Sequence, residues 1–259
     1  MKKERIDNLL IERGFADSPA KAKALIMAGV ILVNDRRVEK PSEVIPAEAK
    51  IRIKGDSAES KYVGRGGLKL EKALSEFQMR VNGYVCLDVG ASTGGFTDCL
   101  LQNDVKKVVT VDAGTNQIDW KLRRDQRVEV RENANARYLK REGFAEQFDL
   151  IVMDVSFISV RKILPALVSL LNETGRIIVL IKPQFEVGKN EVGAGGVVRD
   201  AEKHERVIAE INLFAETCGL KNLGVIDSPI TGASGNKEFL ALYCQAYEKS
   251  HKFPVRNEN

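Results

Sequence analysis

The chain is 259 residues long, 44% hydrophobic and 29% charged, with 21 glycines and 7 prolines. That composition fits one large globular domain or two unequal ones and excludes a fibrous or fully disordered chain. No apolar run approaches the roughly 18 residues of a membrane span, and MKKERIDNLL puts charges where a secretory signal needs apolar residues; the expectation is a cytoplasmic chain with no integral membrane insertion. The net charge of +4 is uneven, since residues 1–72 carry 16 Lys and Arg against 11 Asp and Glu and the remainder 24 against 25. A basic module joined to a near-neutral one suggests nucleic-acid docking beside a separate task. The alternative is a solvated, Lys-rich surface.

In chain order, Ile6 to Arg13 has the spacing of a short amphipathic helix closed by Gly14. Ser18-Pro19 marks a second helix start, with Ser as cap and Pro in the first turn. This helix is expected to run to Ala28 and stop at Gly29. VILVN reads as a strand, Asn34-Asp35 as a turn, and a second short strand falls near Val38. IRI within residues 50–54 alternates like a third. The polar, Gly-rich stretch 55–67 reads as a linker.

The run RIDNLLIERGFADSPAKAKALIMAGVILVNDRRV resembles the alpha-L RNA-binding domain of ribosomal proteins and pseudouridine synthases. The resemblance implies that the second helix and the hairpin face RNA, with Arg5, Lys21, Lys23, Arg36, Arg37 and Lys40 as the available cations. Contacts of that kind position RNA through its phosphates without reading sequence.

From Tyr84 the rhythm changes to strand, turn, helix. Strand-like runs are Val85–Val89, Val108–Val111, Val128–Arg131, Leu150–Met153, Ile177–Ile181, Leu223–Ile226 and Phe239–Cys244, with helical patterns such as Lys162–Leu171 and Ala201–Cys218 between them. This predicts an α/β fold, a Rossmann-like, mainly parallel sheet whose last strand is antiparallel. The expected division is 1–60 RNA-binding domain, 61–83 linker and lead-in helix, 84–248 sheet domain and 249–259 polar tail.

The first of these strands ends in DVGASTGGF. It is not G-x-G-x-x-G, because Ser92 takes the second glycine position, which weakens a dinucleotide reading. Gly90-Ala-Ser92-Thr-Gly94 matches the G-x-S-x-G nucleophile elbow. That reading needs a downstream histidine, and His204 lies in a polar helical pattern while His251 lies in the tail. Cys86, Cys99, Cys218 and Cys244 are scattered without a C-x-x-C pair and read as reduced core residues, so no metal site is expected.

A third reading resembles methyltransferases that use S-adenosylmethionine, in which one acidic residue opens the first loop and another ends the next strand. Asp88 and Asp112 stand in those places. The resemblance implies cofactor contacts from Gly90, Ser92, Gly94, Gly95, Phe96, Asp112, Asn133 and Asp154, with Asp112 accepting from the ribose hydroxyls. For either Asp alone, a turn or capping role is the alternative.

Three further polar residues stand at strand ends. Asp154 closes FDLIVMD, Lys182 closes RIIVLIK and Glu238 opens KEFLALYC. Lys69, in RGGLKLEKAL, falls beside a helical apolar face of Leu70, Ala73, Leu74 and Phe77, which alone reads as a surface lysine. A lysine ending a buried strand, by contrast, needs a partner.

Lys69, Asp154, Lys182 and Glu238 in that order match the K-D-K-E tetrad of FtsJ/RrmJ-type ribose 2′-O-methyltransferases. The stretches GASTGGFTDCLL, MDVSFISV, KPQFEVGK, GGVVRD and SGNKEFL, behind an alpha-L domain, closely resemble the TlyA family. The resemblance implies S-adenosylmethionine-dependent 2′-O-methylation of cytidine in ribosomal RNA within ribosomal subunits. Members are often labelled hemolysin; a membrane-damaging protein and a non-catalytic binder of cofactor and RNA are the competing functions. In the tetrad reading Lys182 is a base or a hydroxyl-orienting group. A sulfonium and Lys69 disfavour its charged form, while Asp154 and Glu238 favour it.

Overall fold

In the computed structural model, which describes residues 3–16, 18–34, 36–49, 51–53, 61–232 and 234–246, the chain divides into two units between Arg65 and Gly66. In the first, β1 (Lys3–Arg5), α1 (Ile6–Glu12), α2 (Pro19–Met27), β2 (Ile31–Val33), β3 (Arg36–Arg37), β4 (Val44–Pro46) and β5 (Ile51–Ile53) follow in order. Ser18 accepts a hydrogen bond from the Lys21 N–H at 3.3 Å, so α2 starts where the Ser-Pro pair predicts. Gly14 and Gly29 follow the helices at φ +76° and +68°, the left-handed closure glycine allows without strain.

Strand β2 is the centre of an antiparallel sheet ordered β3-β2-β5. Ile6, Leu9 and Leu10 of α1, Ala22 and Ile26 of α2, and Ile31, Val33 and Ile51 of the sheet form one apolar cluster. The antiparallel pairing of β1 with β4, Arg5 opposite Val44, goes beyond the expected helices and hairpin. Three-residue strands carry too little period-2 pattern to be seen in a sequence.

The second unit opens with α3 (Gly66–Glu76) and continues through β6 (Val85–Val89), α4 (Gly95–Gln102), β7 (Lys107–Val111), α5 (Trp120–Arg123), β8 (Val128–Arg131), β9 (Phe148–Met153), α6 (Leu164–Val168), β10 (Leu171–Ile181), α7 (Ala201–Thr217), β11 (Leu220–Asp227) and β12 (Phe239–Gln245). The seven strands are ordered β11-β12-β10-β9-β6-β7-β8. Strands β8, β7, β6, β9 and β10 run parallel, and β12 is antiparallel to both β10 and β11. The doubly wound sheet with its reversed last strand is as expected.

Every residue of β6 is buried, the mark of a parallel strand covered on both faces. One face packs Leu87, Ile151, Ile177, Val179 and Tyr243 against Leu164 and Leu167 of α6 and Val207 and Ile211 of α7. The expected helix from Lys162 to Leu171 is shorter than its pattern. A 3-10 turn, Val160–Lys162, precedes α6, and Leu171 already pairs with Phe148, whose N–H donates to the Leu170 carbonyl at 2.9 Å. Sheet pairing outcompetes the helical period there. Asp35, residues 54–60 of the expected linker region, His251 and the tail expected at 249–259 lie outside the described residues.

Candidate active site

The carboxyl ends of β6, β7, β9 and β10 meet at one edge of the sheet, where an open α/β fold places its ligands. The loop from β6 to α4 turns sharply through Gly90 (φ +83°), Ser92 (+49°) and Gly94 (+96°). A Cβ on Gly90 would collide with the Asp154 carbonyl oxygen, and one on Gly94 with Leu122, so both positions require glycine. Gly94 caps α4 without a side-chain hydrogen bond. The first N–H groups of α4, those of Gly95 and Phe96, precede its intrahelical ladder. The Phe96 side chain is buried.

Asp112, just past β7, accepts from the Ser92 N–H at 2.8 Å through Oδ2 and from the Gly114 N–H at 2.7 Å through Oδ1. It therefore holds the glycine loop against the loop that follows β7, and each oxygen keeps a lone pair for a ligand hydroxyl. Asn133 is exposed in the left-handed region, φ +54°, and donates its N–H to the Gly114 carbonyl at 3.1 Å.

Asp88 is fully buried in β6. Its Oδ2 accepts from the Thr97 hydroxyl at 2.6 Å, and its Oδ1 has no hydrogen-bond partner among the described residues. Loss of solvation, resisted by the Thr97 bond, pushes this carboxyl up to about 7. Asp88 thus stands in the strand that leads into the glycine loop, with its carboxyl fully buried.

The four tetrad residues form two ion pairs. Lys69 Nζ lies 2.6 Å from Glu238 Oε2, and Lys182 Nζ lies 2.6 Å from Asp154 Oδ1. Ile181 pairs with Phe239 across the β10–β12 ladder, so Lys182 and Glu238, one residue further out on each strand, face the same edge. Lys69 is buried on α3. This corrects the surface-lysine reading: at its position the helix packs inward, and Glu238 supplies the partner that burial demands. The start of α3 also borders the site, since a Cβ on Gly66 would stand 4.0 Å from Asp154 Oδ2.

Two residues overlooked in the sequence act as clips. Glu186, buried at the end of KPQFE, accepts from the Ser159 hydroxyl at 2.6 Å and the Val160 N–H at 2.8 Å. This ties the segment after β10 to the segment after β9. Asn236 is buried, accepts from the Val198 N–H at 2.9 Å and donates to the Gly196 carbonyl at 2.9 Å, fixing the strand entry that carries Glu238. Their only signal was a polar residue inside otherwise apolar or Gly-rich stretches. His204 is buried on α7 with Nε2 2.9 Å from the Val198 carbonyl oxygen. The residue is therefore no part of a polar helix face, and among the described residues Ser92 has no histidine partner for the elbow reading.

In the first unit, Arg36, Arg37 and Lys40 line one concavity of about 770 Å³ with Glu39, Ser42 and Glu43. Lys21 and Lys23 are exposed on α2, but residues two apart on a helix face different directions. Arg5 is paired with Asp7 at 2.6 Å, so part of its charge is spent locally.

A family model described as FtsJ-like methyltransferase matches residues 62–244, and one described as S4 domain matches residues 4–51. The chain belongs to the FtsJ-like methyltransferase family. It is 42% identical to the 16S/23S rRNA (cytidine-2'-O)-methyltransferase TlyA of Mycobacterium tuberculosis, over 92% of this chain and 88% of that one. It is 48% identical to YqxC of Bacillus subtilis, provisionally named an rRNA methyltransferase, over 92% of this chain and 85% of the other. The solved structure of a Streptococcus thermophilus protein provisionally named a hemolysin is 44% identical, covers 95% of this chain and 89% of its own, and gives a TM-score of 0.72. Among the described residues of this FtsJ-like chain, no helix is long and apolar enough to cross a membrane.

Proposed function

We propose that this FtsJ-like methyltransferase moves a methyl group from S-adenosylmethionine to a ribose 2′-hydroxyl, with cytidine in ribosomal RNA as substrate. The observation that carries the reading is the pairing of Lys182 with Asp154 and of Lys69 with Glu238 at the edge where the glycine loop opens. A cofactor with an anionic end, a donor group and a ribose suits the residues present. The uncapped N–H groups at the start of α4 suit the anion, the partnerless Asp88 Oδ1 suits a donor, and Asp112 suits the ribose.

S-adenosylmethionine supplies an electrophilic methyl on a sulfonium, and the ribose oxygen forms the new C–O bond as the C–S electron pair stays with sulfur. The chain's own task is the hydroxyl proton. As the oxygen attacks, the Lys182 ammonium, anchored 2.6 Å from Asp154, donates an N–H to that oxygen and stabilises the charge that builds there, while the hydroxyl proton passes to the Asp154 carboxylate. Asp154 is only half-buried and returns the proton to water. Lys69 and Glu238 are buried as a neutral pair, so the pocket adds no net charge at the reacting centre.

The test pairs melting temperature with single-turnover methylation of ribosomal subunits for Lys182→Ala, with mass mapping of the product. A folded variant that has lost transfer but keeps cofactor and RNA affinity is expected, because its interaction strengthens only in the transition state. Near-parental transfer in that variant would end the tetrad assignment.

A further inference from the structure

We propose that Ser156 is a positioning residue of this site, holding the Lys182 ammonium so that one N–H is left for the substrate oxygen; the inference rests on the ribose-methylation reading. Lys182 Nζ donates to Ser156 Oγ at 2.8 Å in addition to its 2.6 Å contact with Asp154 Oδ1. An ammonium carries three hydrogens in a fixed tetrahedral spread. Two acceptors from the same short segment fix the direction of the third, whereas Asp154 alone would leave the group free to swivel about one contact.

The segment that carries Ser156 is held at both ends. The Asp154 N–H donates to the Val89 carbonyl at 3.0 Å, and five and six residues later Ser159 and Val160 are bound by the buried Glu186. Directly after Ser156 the backbone turns left-handed at Phe157, φ +64°. A non-glycine residue keeps that conformation only where its surroundings hold it there. The turn separates Ser156, whose hydroxyl meets Lys182, from Phe157, whose side chain is 91% exposed and packs on Phe185 at 5.2 Å between ring centroids. Ser156 itself is exposed, so nothing in the fold's packing accounts for its contact with a buried lysine.

The test uses the full chain with Ser156→Ala and Ser156→Thr. Loss of a hydrogen bond to a charged group lowers turnover about tenfold or more. The Ala variant should lose that in kcat with KM for cofactor and RNA nearly unchanged, and Thr, which keeps the hydroxyl, should recover most of it. A second readout needs no transfer: amine-directed labelling of the apo protein, followed at the Lys182 peptide by mass spectrometry. Labelling should be severalfold faster in Ser156→Ala and return toward the parental rate in Ser156→Thr. Parental kcat in the Ala variant, a loss confined to KM, failure of Thr to rescue, or unchanged labelling would each overturn the assignment. If the parental chain methylates no ribose, the reaction reading falls separately, and labelling still decides whether Ser156 holds Lys182.

Discussion

Because both Asp112 oxygens accept backbone N–H groups, from Ser92 and Gly114, replacing the residue unties two loops and removes a ligand acceptor together. Asp112→Ala should weaken S-adenosylmethionine binding by about tenfold or more, and Asp112→Asn by less, since its amide oxygen keeps one acceptor. Calorimetry on the three proteins checks this, and equal affinities would take Asp112 out of the cofactor contacts. Asp88 gives a prediction about pH. Its folded-state carboxyl is pushed up to about 7, chiefly by burial, so the folded chain holds a proton that the unfolded chain releases. Stability conferred by that proton is present at low pH, declines from the ordinary carboxylate range up to about 7, and is flat above it. Asp88→Asn stays neutral throughout, so its stability relative to the parent should rise across that window, by on the order of 1.4 kcal/mol per pH unit at most. Denaturant unfolding of the apo proteins at several pH values measures the gap; a constant gap would show that Asp88 does not titrate there.

The connections between strands carry the site, and their tolerance to change follows from their contacts. Gly90 has a positive φ and no room for a Cβ beside the Asp154 carbonyl, so Gly90→Ala should cost about 1–3 kcal/mol or more and displace the strand end that carries Asp154. Glu186→Ala should strand the Val160 N–H and the Ser159 hydroxyl, lowering stability by about 1–3 kcal/mol in urea unfolding. Much of this architecture was legible in the sequence. Parallel strands buried on both faces read as continuous apolar runs, so a charged residue ending one, as Asp154 and Lys182 do, stands out. Lys69 was legible only by resemblance, because its partner Glu238 is 169 residues away and local periodicity places it on a polar flank. Glu186 and Asn236 were missed for the same reason, their targets being backbone groups brought near by the sheet. The truncation of α6 is likewise non-local, since Phe148 decides it.

At the scale of the chain, the basic excess counted in residues 1–72 includes a local grouping of Arg36, Arg37 and Lys40 around one concavity. Replacing all three by Ala in the full chain should weaken rRNA binding and flatten its salt dependence by about two units of log–log slope, since each phosphate contact contributes about 0.7–0.9. Filter binding over a salt series checks it; an unchanged slope would move the RNA contacts elsewhere. Cofactor affinity should stay parental. The antiparallel course of β12 has a consequence for synthesis. Because β12 enters the sheet from the opposite end, Glu238 reaches Lys69 at its beginning, so the first helix of this unit waits for the last strand before its buried cation is matched. During translation Lys69 stays a hydrated cation until β12 is made, since burying it without Glu238 would cost several kcal/mol. Assembly of this edge therefore waits until β12 has been made and paired with β10.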